Sequence, residues 1–428
     1  MGCRYPPGLV ATESEDRPCL NSVLGHFLRK STKLWMPVDA LPNKTPPLLW
    51  FLTLFLALQL GGFMTIQDFL DARQRAERPT ALPIQKRPLL EPISRNYFVL
   101  ESPEQTVVGE PQIVFTRETD TFSDLAREYG LGYDDLVAAN PDIDPWLPGE
   151  NTPVLLATQY VLPDTPRRGV ILNIASKRLF YYPAVNEGEP VQVLTYPIGV
   201  GRVGWETPLG ETTVVAKARD PHWYVPWSVQ QEHKENGDPL PSVVPPGPDN
   251  PLGSHVLQLD LPGYLIHGTN QPYGIGMRVS HGCVRLYPEN IERLYSMVDI
   301  GESVIIVNEP FLAGWLEGEL YLESHIPLED DAVTADERLQ KIFDKARNSS
   351  GAFNDQAERD YARAIAGDAL GVPVRVLLGD ADELYGRARL VRNTVEIDPD
   401  APTLAEIREL LDAPVGLGEA DEAVRLVE

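Results

Sequence analysis

The apolar residues of this chain are most concentrated in residues 45–67, which contain no charged side chain. Residues 48–60 are almost all Leu, Phe, Trp and Ala, and the run is long enough to cross about 30 Å of hydrocarbon. Basic residues precede the run and acidic residues follow it, namely Arg29, Lys30, Lys33 and Lys44 before it and Asp68 and Asp71 after it. The positive-inside rule therefore predicts a transmembrane anchor over 45–67, with the following residues exported. A cleaved signal segment is the alternative, although no small-x-small cleavage site follows.

Residues 1–44 are predicted to be a cytoplasmic extension, or a stretch that precedes the true start of translation. Residues 68–110 are rich in Pro, Arg and Glu, which favours a linker between the membrane and the folded part. The pattern changes again over residues 111–164. A helical stripe starts at Phe122 and ends at Gly130, and a second starts near Tyr133 and stops at Asn140. With a closing strand over Tyr160–Pro163, these residues predict a strand–helix–helix–strand unit, here named the βααβ module.

Residues 168–308 contain short β-type runs separated by Gly and Pro. The predicted strands are Val170–Ile174, Arg178–Tyr182, Val191–Tyr196, Thr212–Lys217, Tyr264–His267 and Ser303–Val307. A helical stripe occurs only over Glu289–Val298. This stretch therefore predicts a mostly-β domain with one helix.

Residues 309–428 form an acidic and partly helical region. A capping box at Thr334–Glu337 predicts one helix, and a second box at Thr403–Glu406 predicts another. A strand is predicted over Pro373–Leu378. This region contains no catalytic pattern, and we interpret it as accessory. The whole chain is thus predicted to be a multidomain α+β protein.

Composition supports several domains and excludes some partners. The chain has 428 residues, 43% of them hydrophobic, so it can bury more than one core. The formal net charge of −25 argues against nucleic acid as a partner and against a basic patch for anionic lipid.

Cysteine usage points to one candidate nucleophile. Cys3 and Cys19 precede the apolar run, and Cys283 is the only other cysteine. A free thiol is a liability in an oxidising compartment unless it has a function. His267 ends a predicted strand and is a candidate general base, while His281 and Arg285 flank Cys283 at i−2 and i+2 and share its face if the segment is extended. Gly282 leaves backbone N–H groups open to stabilise an oxyanion.

A zinc site is the competing interpretation of this cluster. His267, His281 and Cys283 would supply three ligands, but no fourth ligand is evident, and structural zinc usually recruits paired cysteines. We therefore predict no metal and no cofactor.

The βααβ module resembles a LysM module, a small fold that binds glycan strands containing N-acetylglucosamine. The residues that carry the resemblance are Asp120-Thr121-Phe122, Leu125-Ala126, Tyr129-Gly130, Leu136, Asn140-Pro141, Pro148-Gly149 and Leu162-Pro163. The alternative is a small α+β unit without a ligand.

The cysteine segment resembles the catalytic signature of the L,D-transpeptidases, which have the YkuD-type fold. The matching residues are His267-Gly268-Thr269 and Ser280-His281-Gly282-Cys283-Val284-Arg285-Leu286. By this resemblance Cys283 is the nucleophile, His267 is the base, and the backbone of 281–283, following Ser280, forms the oxyanion hole. Arg285 stands where many members have Asn, so it either binds a substrate carboxylate or has a structural role. Further residues are predicted along the substrate cleft, namely Trp223, Gly268, Thr269, Tyr273 and Arg278.

The resemblance implies acyl transfer on peptidoglycan tetrapeptide stems in the periplasm. The acceptor would be a second diaminopimelate, giving a 3-3 cross-link, or a lysine of an outer-membrane lipoprotein. If water resolves the thioester instead, the enzyme is an L,D-carboxypeptidase or endopeptidase. From another class, the chain would be a non-catalytic scaffold that binds glycan through the βααβ module.

Overall fold

The computed structural model of the protein describes residues 83–93, 96–329, 331–350, 352–353, 356–376 and 381–396. The predicted extension over 1–44, the predicted anchor over 45–67, the start of the linker and the helix predicted from Thr403 lie outside these residues. Within the described ranges, no helix combines the length and the apolar character needed to cross a membrane.

Strands make up most of the regular structure between residues 168 and 308, which confirms the predicted mostly-β domain. The prediction of a single helix there is wrong, because Trp227–Glu235 is helical as well as Pro288–Met297. The missed helix buries only Val229, so it has no apolar stripe that the sequence could show. In chain order the strands of the described residues are β1 (Tyr97–Val99), β2 (Val107–Gly109), β3 (Gln112–Phe115), β4 (Pro153–Leu156), β5 (Gln159–Val161), β6 (Gly169–Asn173), β7 (Arg178–Tyr182), β8 (Gln192–Pro197), β9 (Val200–Gly201), β10 (Gly210–Arg219), β11 (Trp223–Tyr224), β12 (Val243–Val244), β13 (His255–Leu259), β14 (Leu265–His267), β15 (Arg278–Ser280), β16 (Val284–Arg285), β17 (Ser303–Val307), β18 (Phe311–Leu316), β19 (Glu319–Ser324), β20 (Val374–Arg375) and β21 (Arg389–Val391).

The helices fall outside the main sheet. They are α1 (Phe122–Glu128), α2 (Tyr133–Ala139), α3 (Trp227–Glu235), α4 (Pro288–Met297), α5 (Ala335–Ser350), α6 (Gln356–Asp368) and α7 (Ala381–Arg387). Single 3-10 turns occur at Ile84–Lys86 and Pro272–Gly274. The predicted capping box forms at the start of α5, where the backbone N–H of Glu337 donates to Thr334 Oγ1.

A nine-stranded mixed sheet organises the centre of the described chain, in the order β1-β8-β7-β6-β17-β10-β13-β14-β16. Its central strands β6, β7 and β17 are buried on both faces, which explains their nearly continuous apolar sequence. Alternate residues face different cores. In β6, Val170 and Leu172 face the core that contains Ile291 of α4, whereas Ile171 faces the core of the βααβ module.

The βααβ module therefore shares a hydrophobic core with the sheet. The strand–helix–helix–strand order occurs as β3, α1, α2 and β4. The strand predicted to close the module, Tyr160–Pro163, is wrong by one strand. It corresponds to β5 (Gln159–Val161), which pairs with β2. The strand that pairs with β3 and closes the module is β4 (Pro153–Leu156). A strand from the C-terminal region, β21, adds to β3 in parallel.

The predicted linker and the predicted accessory region both contribute strands to the folded part of the chain. The linker predicted over 68–110 contributes β1 to the edge of the main sheet and β2 to a pair with β5. In the C-terminal region, β18, β19 and β20 form a three-stranded sheet that packs with α5 and α6. The predicted strand over Pro373–Leu378 corresponds to β20 (Val374–Arg375).

Candidate active site

The strands that carry the predicted nucleophile and base lie side by side. Strands β14 and β16 pair in parallel, with Ile266 opposite Val284 and His267 opposite Arg285. Ile266 and Val284 point into the core, so His267 and Arg285 emerge together on the other face. Cys283 immediately precedes β16, and the Arg285 charge acts on the pKa of both Cys283 and His267. The fold thus brings together three residues that the sequence singled out.

A tight turn presents Cys283. Gly282 has a φ of 98°, which favours glycine, and a Cβ at this position would lie 3.0 Å from Cε1 of Tyr264. The buried Ser280 fixes the turn, because its hydroxyl donates to the Cys283 carbonyl at 2.5 Å and accepts from the Gly282 N–H at 3.2 Å. Thr207 donates to the Gly282 carbonyl at 2.9 Å. The prediction that the Gly282 N–H is open is therefore wrong, since it already donates to Ser280.

His281 does not share a face with Cys283 and Arg285 as predicted, because the turn at Gly282 breaks the extended conformation. Its ring lies against Trp205, with centroids 4.8 Å apart. Nε2 of His281 is 3.0 Å from Nη2 of Arg202 and 3.1 Å from Oε2 of Glu232, and Arg202 also pairs with Glu232. Sequence reasoning missed Arg202 and Glu232, because they come from a loop and a helix that no local signal connects to His281.

Burial determines the protonation of the predicted base and nucleophile. The pKa of His267 is lowered to about 3, first by burial and then by the Arg285 charge, while the carbonyls of Gly268 and Leu252 act in the opposite direction. Burial also raises the pKa of the Cys283 thiol, against the effects of a backbone hydrogen bond at Leu265 and of Arg285. The resting pair is therefore a neutral thiol and a neutral imidazole.

Side-chain contacts agree with this neutral pair. Nδ1 of His267 lies 2.6 Å from the Gly268 carbonyl oxygen, which fixes the proton on that nitrogen and leaves Nε2 to accept one. The Cys283 thiol donates to the Gly263 carbonyl at 3.6 Å. Among the described residues, no hydrogen bond joins Cys283 to His267, as is common before a substrate binds.

Arg285 is the charge common to this site. It lowers the pKa of His267, His281 and Cys283 alike. Its own pKa is lowered, first by burial and then by Arg202. Within the described part of the chain its buried Nε has no hydrogen-bond partner and no carboxylate pairs with its guanidinium. A largely buried cation without a paired anion is costly, so the position of Arg285 needs an explanation.

The remaining predicted cleft residues occupy different places. Gly268 packs against Ile291, and a Cβ there would lie 3.1 Å from that side chain. Thr269 is buried and its hydroxyl accepts from the Gln271 N–H at 2.9 Å, a contact within its own turn. Arg278 begins β15 and donates to the Gly201 carbonyl at 3.1 Å.

Two aromatic residues of the predicted cleft lie on separate elements. Trp223 lies on the two-stranded sheet of β11 and β12, which is not hydrogen-bonded into the sheet that contains β14 and β16. Tyr273 is 69% exposed on the 3-10 turn between those strands, and it lines a cavity beside the βααβ module.

The competing interpretation of His267, His281 and Cys283, which all lie within the described ranges, was a zinc site. Across these ranges, no three His, Cys, Asp or Glu side chains are grouped so that they could hold a metal ion.

Comparisons with known proteins agree with this geometry. The model of the L,D-transpeptidase catalytic domain (YkuD) matches residues 167–306. The probable L,D-transpeptidase YcfS of Escherichia coli strain K12 is 36% identical over 275 residues, which cover 63% of this chain and 84% of that protein. The probable L,D-transpeptidase YbiS of the same strain is 39% identical over 235 residues, 54% of this chain and 75% of that protein.

A solved structure is also similar over the catalytic part. The catalytic domain of the Enterococcus faecium L,D-transpeptidase, solved by NMR, is 22% identical and covers 34% of this chain and 99% of that domain. Its TM-score is 0.25, so the family of this chain is inferred from the sequence relatives and not from this structure.

Proposed function

Because the chain belongs to the L,D-transpeptidase family, whose substrate is peptidoglycan, we propose that Cys283 is the residue that carries the acyl group. The observation that supports this most directly is the parallel pairing of β14 with β16, which places His267 and Arg285 together beside Cys283. The donor is a tetrapeptide stem, cleaved between the L-centre of meso-diaminopimelate and the terminal D-Ala.

The first half-reaction exchanges an amide for a thioester. The Cys283 sulfur attacks the diaminopimelate carbonyl carbon, and a C–S bond forms as the C–N bond breaks. His267 accepts the thiol proton and returns it to the amine of the departing D-Ala. The proposed oxyanion donor is the Cys283 N–H, because the Gly282 N–H is already donated to Ser280.

The neutral resting pair indicates when the proton moves. With the thiol pKa raised and the His267 pKa lowered to about 3, a preformed thiolate–imidazolium pair is disfavoured. Proton transfer then accompanies attack on the carbonyl. This arrangement keeps the thiol protonated, and so less open to oxidation, until a substrate is bound.

We assign Arg285 to a substrate carboxylate. Its guanidinium has no carboxylate partner among the described residues, and the stem carries carboxylates near the scissile bond. Burial is the main cause of the lowered His267 pKa and the Arg285 charge is the second, so an anion bound at Arg285 would offset that second cause. The same contact that positions the stem would therefore make His267 a stronger base.

The second half-reaction releases the acyl group to an amine. A diaminopimelate side chain gives a 3-3 cross-link, and a lysine of an outer-membrane lipoprotein gives an attached protein. The amine attacks the thioester carbonyl, the C–S bond breaks, and a proton returns to the sulfur. Incubation with sacculi, with and without a lysine-tailed lipoprotein peptide, followed by muropeptide mapping, distinguishes the two acceptors.

The nucleophile assignment is tested with Cys283→Ala. We expect this variant to lose transfer on disaccharide-tetrapeptide substrates and to lose the covalent carbapenem adduct that intact mass detects in the wild type. A variant with Cys3→Ala and Cys19→Ala is the matched control and should keep both. Turnover by Cys283→Ala would refute the assignment, and tripeptide formation without any transfer product would indicate hydrolysis instead.

We also propose that the βααβ module binds glycan and that residues 45–67 anchor the enzyme in the inner membrane, facing the periplasm. The LysM-like motifs support the first and the flanking charges support the second. Sacculus binding that persists in Cys283→Ala tests the module. Resistance of the protein to alkaline extraction from membranes, with an intact N terminus by mass, tests the anchor.

A further inference from the structure

The turn that presents Cys283 is held from outside by the loop of residues 201–205. The Arg202 N–H donates to the Ser280 carbonyl at 3.1 Å. A Cβ at Gly201 would lie 3.1 Å from Cα of Gly282, so the loop packs directly against the turn. Because the Ser280 hydroxyl donates to the Cys283 carbonyl, the backbone of Arg202 helps to fix the position of the nucleophile.

The side chain of Arg202 belongs to a group of three polar residues beside this turn. Its Nη2 lies 3.0 Å from Nε2 of His281 and also pairs with Oε1 of Glu232. The other carboxylate oxygen of Glu232 lies 3.1 Å from the same Nε2. Glu232 comes from α3, which lies between β11 and β12, and among the described strands these two pair only with each other. The three residues therefore connect a peripheral helix to the turn that carries the nucleophile.

One atom, Nε2 of His281, lies within hydrogen-bonding distance of a group that only donates and of a group that only accepts. The Arg202 guanidinium has no acceptor, and the Glu232 carboxylate, whose pKa is lowered first by its hydrogen bond to Arg202, is ionised and has no donor. Without a proton, Nε2 accepts from Arg202, and with a proton it donates to Glu232. Arg202 keeps its pair with Glu232 in both states, so Glu232 orients the guanidinium throughout. The proton on Nε2 therefore decides whether Arg202 is also bonded to the His281 ring.

Charged and titratable groups from three elements face the His281 ring. Burial lowers the pKa of His281 most, the Arg202 charge lowers it next, and Arg285 lowers it further. Glu232 raises this pKa through its hydrogen bond and its charge. His233, which is next to Glu232 on α3, has its ring centroid 6.3 Å from that of His281. The pKa is lowered overall, so the ring is uncharged at neutral pH, and only an uncharged ring has a free nitrogen that can accept from Arg202.

We infer that Arg202 and Glu232 are positioning residues for acyl transfer, which act through a neutral His281 on the turn that carries Cys283. In that form Arg202 bonds to the Ser280 carbonyl and to the His281 ring, so it holds two successive residues of the turn. Protonation of His281 directs Nε2 to Glu232 and releases one of these two contacts. The Cys283 N–H is the proposed oxyanion donor, and such a donor is effective only when its direction is fixed. The reaction that is positioned, though not the contacts, rests on the proposed function.

The experiment measures kcat/KM of the full chain for a disaccharide-tetrapeptide from about pH 4 to pH 8, which reports the protonation of the free enzyme. We expect kcat/KM to fall on the acid side as His281 is protonated, since His267, with a pKa of about 3, titrates below this range. Glu232→Gln removes the group that raises the pKa of His281, so this acid limb of the profile should move to lower pH. Arg202→Gln removes a group that lowers that pKa, so the acid limb should move to higher pH. Both variants should also reduce kcat about 3- to 10-fold with KM unchanged, because neither contact is made to the substrate.

Two further variants control this experiment. Glu235→Gln is the matched control, because Glu235 is exposed on the same helix and takes no part in the contacts with Arg202 and His281. Its profile should be that of the wild type. His281→Gln has no titrating ring at this position and should lose the acid limb.

The direction of the shifts separates positioning from a merely structural role. Acid limbs that stay in place in Glu232→Gln and Arg202→Gln, or that move in the same direction, overturn the inference. An unchanged acid limb in His281→Gln also overturns it. If Arg202→Gln does not fold, the comparison of Glu232→Gln with Glu235→Gln still decides, because α3 buries only Val229. A wild type that turns over no stem refutes the proposed function itself, whereas turnover with unshifted limbs refutes this inference alone.

Discussion

The buried ion pair between Asp135 and Arg178 joins the βααβ module to the main sheet, and its loss should be costly. Asp135 lies on α2 and Arg178 begins β7, with 2.8 Å between Oδ2 and Nη2. The side chains are 10% and 3% exposed. Arg178 also lies over the Tyr160 ring, 4.3 Å from its centroid. The perturbation is Asp135→Asn, which keeps the shape and the oxygen that accepts from the Gly132 N–H at 2.9 Å.

The magnitude follows from what remains after the substitution. Arg178 stays buried and charged but loses its anion, and removing one partner of a buried pair costs about 3–5 kcal/mol. With about 2 °C of midpoint per kcal/mol for a large domain, the thermal midpoint should fall by about 6–10 °C.

A neighbouring pair provides the matched control. Lys177 and Asp134 are adjacent in sequence to the first pair and lie 3.1 Å apart, but their side chains are 19% and 42% exposed. Asp134→Asn should therefore cost about 0–1 kcal/mol. Calorimetric unfolding of the wild type and both variants at one protein concentration measures the difference.

The reasoning is refuted if Asp135→Asn and Asp134→Asn unfold at the same temperature. That result would mean that Arg178 reaches water or another anion when Asp135 is neutralised. A double variant, Asp135→Asn with Arg178→Met, provides a second test, because it removes the uncompensated charge and should recover part of the loss.

Three further predictions concern the site. The pKa of His267 is about 3 in the folded state against 6.5 unperturbed, so the folded state binds fewer protons and stability falls as the pH drops below about 6.5. In His267→Gln the unfolding midpoint should therefore depend less on pH between 7 and 4.5. An unchanged slope of midpoint against pH would contradict this. Glu232 raises the pKa of His281, so Glu232→Gln should lower it, as followed by ring NMR titration, and an unshifted titration would exclude the contact. Gly282→Ala should cost about 1–3 kcal/mol in chemical unfolding and reduce acyl transfer. Gly204 also has a positive φ, 81°, but has open space around it, so Gly204→Ala should reduce the free energy of unfolding by less. Equal losses in the two variants would mean that φ alone causes the effect.

Local sequence signals predicted the elements well where one short-range cause dominates. Helix α2 was predicted from Tyr133 to Asn140 and spans Tyr133–Ala139, because its apolar period and its stop signal lie within the segment itself. The strand predicted over Ser303–Val307 has the same bounds in the structure, since it is a short apolar run that follows a turn glycine. The predicted linker was less accurate, because the pairing partner of β1 is Gln192–Pro197, almost a hundred residues away.

The candidate site likewise contains residues that local sequence signals identified and residues that they did not. The motif at Ser280–Cys283 indicated the turn and the thiol, and His267 was found from its strand and its spacing. Arg202 and Glu232 gave no signal, because a contact between a loop, a helix and His281 depends on how distant segments pack. Trp223 was assigned to the cleft on resemblance; it lies on the two-stranded sheet of β11 and β12, and its role in the cleft stays a prediction.

The sequence by itself determined the family, the mostly-β character of residues 168–308, and the thiol and imidazole that the chemistry requires, because these depend on residue type and local period. The tertiary structure decided what covers each face of the sheet, how the βααβ module meets the segment between His267 and Cys283, and which protonation states the site prefers. Burial causes this division: the pKa of His267 is lowered to about 3 by atoms from several strands, and no short stretch of sequence contains that environment.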